Sequence, residues 1–236
     1  MRIALIGLII FSLFSVLTAS VHAESLLVVD QKGEAIWNIL AAESLQLAVP
    51  NRDFRLGYVA ADATGGNTIS IKKDGEKVSL TGTDGKSVDA TGWKKNLVEL
   101  VETPDTQKIE IAVNDGKFTI KQQDAVAETT LPIKIDPKER KLAIETPTGD
   151  KFLAILPLEA LQSALRAKVL SRTFGSFEVV ENENALSYKI AGEKLLNIFN
   201  VYDLAVPVTA YISASTGEIL SMDQPPWLVV VSFLLS

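Results

Sequence analysis

The chain contains no cysteine and one histidine, His22. That histidine lies inside an N-terminal stretch that reads as a secretory leader, so the exported chain is expected to carry neither imidazole nor thiol. Ser-His-Asp and Cys-His catalysis, thiolate nucleophiles, and zinc or copper centres built on imidazole or sulfur are thereby excluded. Without cysteine there is no disulfide and no lipoprotein modification, and stability must come from packing alone, as is more usual in bacterial or archaeal envelope proteins than in small stapled secreted domains. There is no Asn-x-Ser/Thr sequon, and no run of Lys or Arg longer than a pair. Residues 24–236 carry 22 Lys plus Arg against 29 Asp plus Glu, a net charge of −7. Such a surface repels nucleic acid and anionic headgroups, so no nucleic-acid partner is expected.

What is present begins with the leader. Arg2 supplies a positive charge, residues 3–21 are almost wholly apolar, and Val21-His22-Ala23 places small residues at minus three and minus one. Cleavage is expected between Ala23 and Glu24, giving an extracytoplasmic or cell-envelope location; an uncleaved anchor is the competing reading, since the apolar run nearly reaches the roughly 20 residues needed to span a bilayer. At the other end, after Pro225-Pro226, stand Trp227, Leu228, Val229, Val230, Val231, Ser232, Phe233, Leu234, Leu235 and Ser236, without a charge. As a helix this tail would rise only about 15 Å, too short to span. It reads either as a terminal β-strand docked on the body or as an interfacial foot with Trp227 at headgroup level, a possible contact with a membrane surface.

Between these ends the recurring signal is the β-hairpin, short alternating runs joined by Gly-containing turns. Ile69-Ser70-Ile71 turns at Asp74-Gly75 into Val78-Ser79-Leu80; Ile109–Val113 turns at Asn114-Asp115-Gly116 into Phe118-Thr119-Ile120; Leu142-Ala143-Ile144 turns at Thr148-Gly149-Asp150 into Phe152–Ile155; Val208–Ile212 turns at Thr216-Gly217 into Ile219-Leu220. Two stretches break the alternation. Leu158, Leu161, Leu165 and Val169 form one helical stripe behind Pro157, and Trp93, Leu97, Leu100 and Val101 predict a shorter helix over 93–102, with strand as the alternative there.

An offset of 64 residues aligns Ile69 with Ile133, Ile71 with Ile135, Val78 with Leu142, Leu80 with Ile144 and Gly85 with Gly149. This suggests two tandem hairpin-helix-hairpin units. The expected organisation is a leader over 1–23, an N-terminal β-rich unit over 24–122, a polar linker over 123–130, a C-terminal α+β unit over 131–222 and the apolar tail over 223–236. The expected fold class is α+β, predominantly antiparallel hairpins with one or two short helices.

The last hairpin, Tyr211-Ile212-Ser213-Ala214-Ser215-Thr216-Gly217-Glu218-Ile219-Leu220, resembles the closing hairpin of PepSY-type domains, with Ser213 where the family usually has Asp. The resemblance runs from the helix at Leu158 to Leu220, about a quarter of the chain. It implies a helix on an antiparallel sheet and a non-catalytic extracytoplasmic module of the kind found in protease propeptides and in envelope proteins that restrain or present a partner.

Candidate chemistry is sparse. Ser70-Ile71-Lys72-Lys73 matches Ser-x-x-Lys, but that pair must share a helical turn and here falls on a predicted strand without its companion motifs. Thr64-Gly65-Gly66-Asn67 has the glycines of a phosphate loop without the following lysine-bearing helix. A carboxylate pair facing a cleft remains conceivable among 29 acids. Ile36, Trp37, Leu40 and Ala41 could form an interaction face, although core packing is the commoner use of such residues. No catalytic residue, metal ligand or cofactor is assigned. The sequence points to an exported, non-enzymatic binding or structural protein with an unidentified protein partner; the alternatives are a PepSY-like modulator of an extracytoplasmic protease or sensor, and a carboxylate-dependent hydrolase.

Overall fold

The computed structural model describes residues 25–37, 68–82, 85, 87–101, 108–139, 141–182, 185–198 and 202–228. The leader with its Ala23/Glu24 junction, Leu40 and Ala41, the loop at 64–67, and tail residues 229–236 lie outside the described residues.

Among the described residues seventeen strands form two sheets. The first half contributes β1 (Ser25–Val29), β2 (Ala35–Trp37), β3 (Ile69–Asp74), β4 (Lys77–Thr81), β5 (Ser87–Asp89), β6 (Asn96–Leu100), β7 (Ile109–Asn114) and β8 (Lys117–Gln122). Then follow β9 (Ala125–Thr129), β10 (Ile133–Asp136), β11 (Lys141–Thr146), β12 (Gly149–Leu153), the helix α1 (Pro157–Arg166), β13 (Arg172–Thr173), β14 (Phe177–Asn182), β15 (Ala185–Ile198), β16 (Tyr202–Ser213) and β17 (Ile219–Asp223). The large sheet runs β17-β16-β15-β14-β9-β8-β7-β6-β1-β2, with β13 alongside β15, and the small sheet runs β12-β11-β10-β3-β4-β5. Pairing is antiparallel except for β1 with β6 and β9 with β14.

All four expected hairpins form, because their turn chemistry is local. In the β7–β8 turn Asp115 and Gly116 both take positive φ, 46° and 80°, the geometry that matches the twist of two-residue hairpins. Alternation then sends Ile109, Ile111, Phe118 and Ile120 inward, and these join Leu27, Ile71, Ile133, Ile144, Tyr188 and Ile212 in one apolar cluster shared by both sheets. The Phe177 and Tyr188 rings meet edge to face with centroids 5.7 Å apart. Tyr188 donates its hydroxyl to the Ile155 carbonyl at 2.7 Å, which satisfies the one polar atom of a fully buried side chain.

Several expectations are corrected. Of the described residues 61% are strand and 8% helix, so the fold is β-rich and not α+β. The helix expected over 93–102 is a turn followed by β6. A β-bulge between Asn96 and Val98 puts Leu97 as well as Val98 and Leu100 into the core, and two consecutive buried residues imitate a helical stripe. Helix α1 does form, with Pro157 in its first turn and Arg166 in its last, but it ends before Val169. Lys168 takes φ 55° there. The face α1 buries is Pro157, Ala160 and Ala164, small residues that bring it close to β8, β9, β15 and β16, whereas Leu165 of the expected stripe is exposed.

The linker expected over 123–130 is occupied by β9, a central strand whose Ala125, Ala127 and Thr129 face inward. Alanines carry the buried face, so hydropathy hides it. The large sheet therefore runs unbroken across the expected unit boundary. The strands aligned by the 64-residue offset are sheet neighbours: β3 and β10 pair antiparallel, Ile71 opposite Ile133 and Ile69 opposite Ile135. Among the described residues, the position 64 residues before α1 holds a turn and strand β6 instead of a helix, so the hairpin-helix-hairpin order is not repeated there.

Candidate functional site

At one margin of the large sheet β17 is the terminal strand, with β16 alone beside it among the described residues. The turn before it is built by Ser213. Its Oγ accepts the backbone N–H groups of Thr216 at 3.1 Å and Ser215 at 3.3 Å, while the Ser213 carbonyl accepts the Gly217 N–H at 2.9 Å. A serine hydroxyl thus does the turn-closing work that an aspartate carboxylate does in an Asx turn. Gly217 sits at φ 74°, a region glycine enters without a Cβ penalty. A bulge between Tyr211 and Ile212 then offsets β17 against β16.

Leu220 and Met222 of β17 are half exposed, and Trp227 just beyond it is 45% exposed. Tyr211 donates its hydroxyl to Asp223 Oδ2 at 3.1 Å; burial first, and then this bond to a carboxylate, raise the phenol above its ordinary range. Lys194 is the last cation in the sequence: the 42 residues from Leu195 to Ser236 contain none, and their acids are Asp203, Glu218 and Asp223. The margin formed by β16 and β17 is therefore apolar and acidic.

The tail's first residues are placed in this region. Residues 226–228 form a helical turn, with the Leu228 N–H bonded to the Pro225 carbonyl at 2.9 Å, and Leu228 is wholly buried in the core cluster. The expected terminal strand is thus not what 226–228 adopt, yet the chain docks there through one leucine. Of the expected interface residues, Trp227 faces solvent and Leu228 does not; Val229, Val230, Val231, Phe233, Leu234 and Leu235 lie outside the described residues. At the opposite margin, Ile36 and Trp37 belong to β2, which pairs antiparallel with β1.

The outward faces of both sheets are laddered with opposite charges. On the small sheet Lys72 (β3) and Lys134 (β10) flank Glu145 (β11) at 2.9 and 3.3 Å, and Lys134 also binds Asp150 (β12) at 2.8 Å. The bond from Lys72, opposed by burial and aided by Lys134, lowers the Glu145 pKa; the Asp150 bond leads the causes that raise Lys134. On the large sheet Glu128 and Glu178 stand side by side on parallel strands, and Lys117 bridges them at 3.3 and 3.2 Å. These bonds, Glu178 first, raise Lys117. Lys108 joins Glu110 and Glu99; burial opposes its charge, but the two carboxylates outweigh it and its pKa rises.

These acids are neutralised on sheet faces by lysines, which is the arrangement of a structural ladder and not of two acids held apart across a cleft. The Ser-x-x-Lys pair is split by strand alternation: Lys73 donates to the Gly116 carbonyl at 2.8 Å, whereas Ser70 lies on the other face with its Oγ buried and without a hydrogen-bond partner. Among the described residues no group of three His, Cys, Asp or Glu side chains could hold a metal ion, and no helix is long and apolar enough to cross a membrane. Sequence reasoning marked the last hairpin and the tail but missed the exposed sheet margin between them. The cation-free run after Lys194 was the available signal. In comparison with known proteins the chain matches no family model, no curated protein and no solved structure.

Proposed function

We propose that this chain is an exported, non-catalytic binding module that holds a partner protein by adding an extended partner segment to β17. The observation that carries the reading is a terminal strand of a large sheet that has one neighbour among the described residues, bearing exposed Leu220 and Met222 in a stretch of chain devoid of cations. Unpaired edges of this kind recruit strands, and proteins that do not use them blunt them with lysine or proline. The complementary partner is an extended segment with alternating apolar and basic residues.

Hydrogen exchange tests this on the exported chain with a Lys-Val repeat peptide. Amide exchange over 219–223 slows with that peptide and not with a Glu-Val repeat, and Met222→Lys removes the protection. Unchanged exchange over 219–223 with both peptides would refute the edge. Export is checked separately by the mass of the secreted form, which starts at Glu24; full-length protein retained in the cytoplasm overturns it.

A PepSY-like modulator is the second reading, favoured by α1 lying on β8, β9, β15 and β16 and by Ser213 closing the turn where that family uses Asp. It requires that the chain slow or restrain an extracytoplasmic protease or sensor when the two are mixed. A protease whose turnover is unaltered by a saturating excess argues against it.

A further inference from the structure

Six strands from β17 along the large sheet, the β7–β8 turn meets the β3–β4 hairpin and the 91–95 turn around a cleft of about 220 Å³. Val78 and Leu97 form its apolar floor, and Trp93 is a half-buried wall whose indole Nε1–H donates to the Asn96 carbonyl at 2.7 Å, which fixes the ring plane. Lys73 stands at the rim. Its Nζ donates to the Gly116 carbonyl at 2.8 Å, and a Cβ on Gly116 would lie 2.7 Å from that nitrogen, so the glycine is shaped around the ammonium.

A carbonyl holds the ammonium in place without cancelling its charge. Among the described residues no carboxylate lies within ion-pair distance of Lys73, whereas Lys72, Lys117, Lys121, Lys134, Lys141 and Lys189 on the strands are each bridged, and Glu76 on the rim stays beyond that range. Lys77, Lys94 and Lys95 are exposed in the neighbouring turns, together with Asp74, Glu76, Asp89 and Asp115, so the positive charge at the cleft itself is that of Lys73. A lysine ammonium has three donors, of which Lys73 uses one among the described residues.

The geometry points to a binding site for a small planar carboxylate, with the ring against Trp93 over the apolar floor and the carboxylate on Lys73. The volume equals that of about seven waters, enough for a bicyclic ring with a short acidic arm and too little for a cofactor. Binding places a charge-assisted hydrogen bond at the rim and returns apolar surface to the core.

The test uses the isotope-labelled exported chain with indole-3-acetate and its neutral amide as probes, read by chemical-shift titration. Indole-3-acetate gives saturable shifts at the Trp93 indole N–H and the Gly116 amide; the amide, or the acid with Lys73→Met, binds about tenfold more weakly, the ratio expected for losing one charge-assisted bond. Glu76→Gln, a substitution in an exposed turn that leaves the fold intact, tightens the acid severalfold. No saturable shift at either residue up to about 10 mM acid, beyond the weak end of specific binding, overturns the site. Equal affinity for acid and amide, or weaker acid binding in Glu76→Gln, overturns the role of Lys73. None of these results bears on β17, so the two sites fail independently.

Discussion

Leu228 separates the two readings of the C-terminal tail. It is fully buried, it belongs to the shared core cluster, and it lies just past Pro225-Pro226. Leu228→Ala removes three carbons from a packed site, and such truncations cost about 2–5 kcal/mol depending on how far the cavity collapses. Leu228 sits on a single helical turn, which can shift to fill part of the cavity, so about 2–3 kcal/mol is expected. For a chain of this size that lowers the midpoint of thermal unfolding by roughly 5–10 °C. Trp227→Ala is the internal control: that side chain is 45% exposed, and its loss should cost under about 1 kcal/mol. Calorimetry or urea unfolding of the exported form reads both, and partition onto neutral lipid vesicles is measured in parallel. The docked reading requires a destabilised Leu228→Ala variant with unaltered partition. If Leu228→Ala unfolds like the parent while Trp227→Ala releases the protein from vesicles, the docking argument is refuted and the interfacial foot takes its place.

Three further outcomes are expected. At Gly33 (φ 78°) a Cβ would meet the Pro137 carbonyl at 2.6 Å, whereas at Gly75 (φ 59°) it would meet nothing within 4 Å. Gly75→Ala should therefore cost only the left-handed penalty of about 1–2 kcal/mol, and Gly33→Ala clearly more, because the β1–β2 turn must leave the β10–β11 turn. Equal losses in urea unfolding would contradict the close approach. Buried Gln122 accepts the Leu158 N–H at 3.2 Å through its Oε1, capping α1 from the sheet; Gln122→Leu should cost about 1–2 kcal/mol and speed amide exchange in the first turn of α1, and unchanged exchange there would remove the cap. Glu145 has its pKa lowered from 4.5, so its contribution to stability is present above that unfolded value and is lost as pH falls through the lower folded value. Unfolding followed from pH 6 to pH 2 should show a shallower acid loss in Glu145→Gln than in the parent, and parallel curves would show that the Lys72–Glu145–Lys134 ladder contributes nothing.

Legibility from sequence followed the range of the forces involved. The four hairpins were readable because Asp-Gly and Thr-Gly turns act over a few residues, and α1 because Pro157 and a period of 3.6 mark a helix without outside help. For β6 the sequence offers helix first and strand only as the alternative, because a bulge, which depends on β7, makes consecutive residues inward-facing. Strand β9 reads as a linker because its buried positions are Ala125, Ala127 and Thr129, residues whose burial is decided by the nearness of α1 and not by their own hydropathy. The candidate edge was half legible. The closing hairpin and the absence of cations after Lys194 are in the sequence, but that β17 has no second neighbour among the described residues is a property of the sheet order.

By itself the sequence determined the chemistry that is missing, the local turns, one helix and the inward residues of most strands, since each depends on residue type and short-range periodicity. The tertiary structure alone decided that β3 pairs with β10 and β9 with β14, that Leu228 enters the core while Trp227 does not, and that Lys73 meets a backbone carbonyl and no carboxylate among the described residues at the rim of a cleft. These depend on contacts between residues far apart in the chain, where the burial of one side chain is set by which distant strand comes to lie beside it.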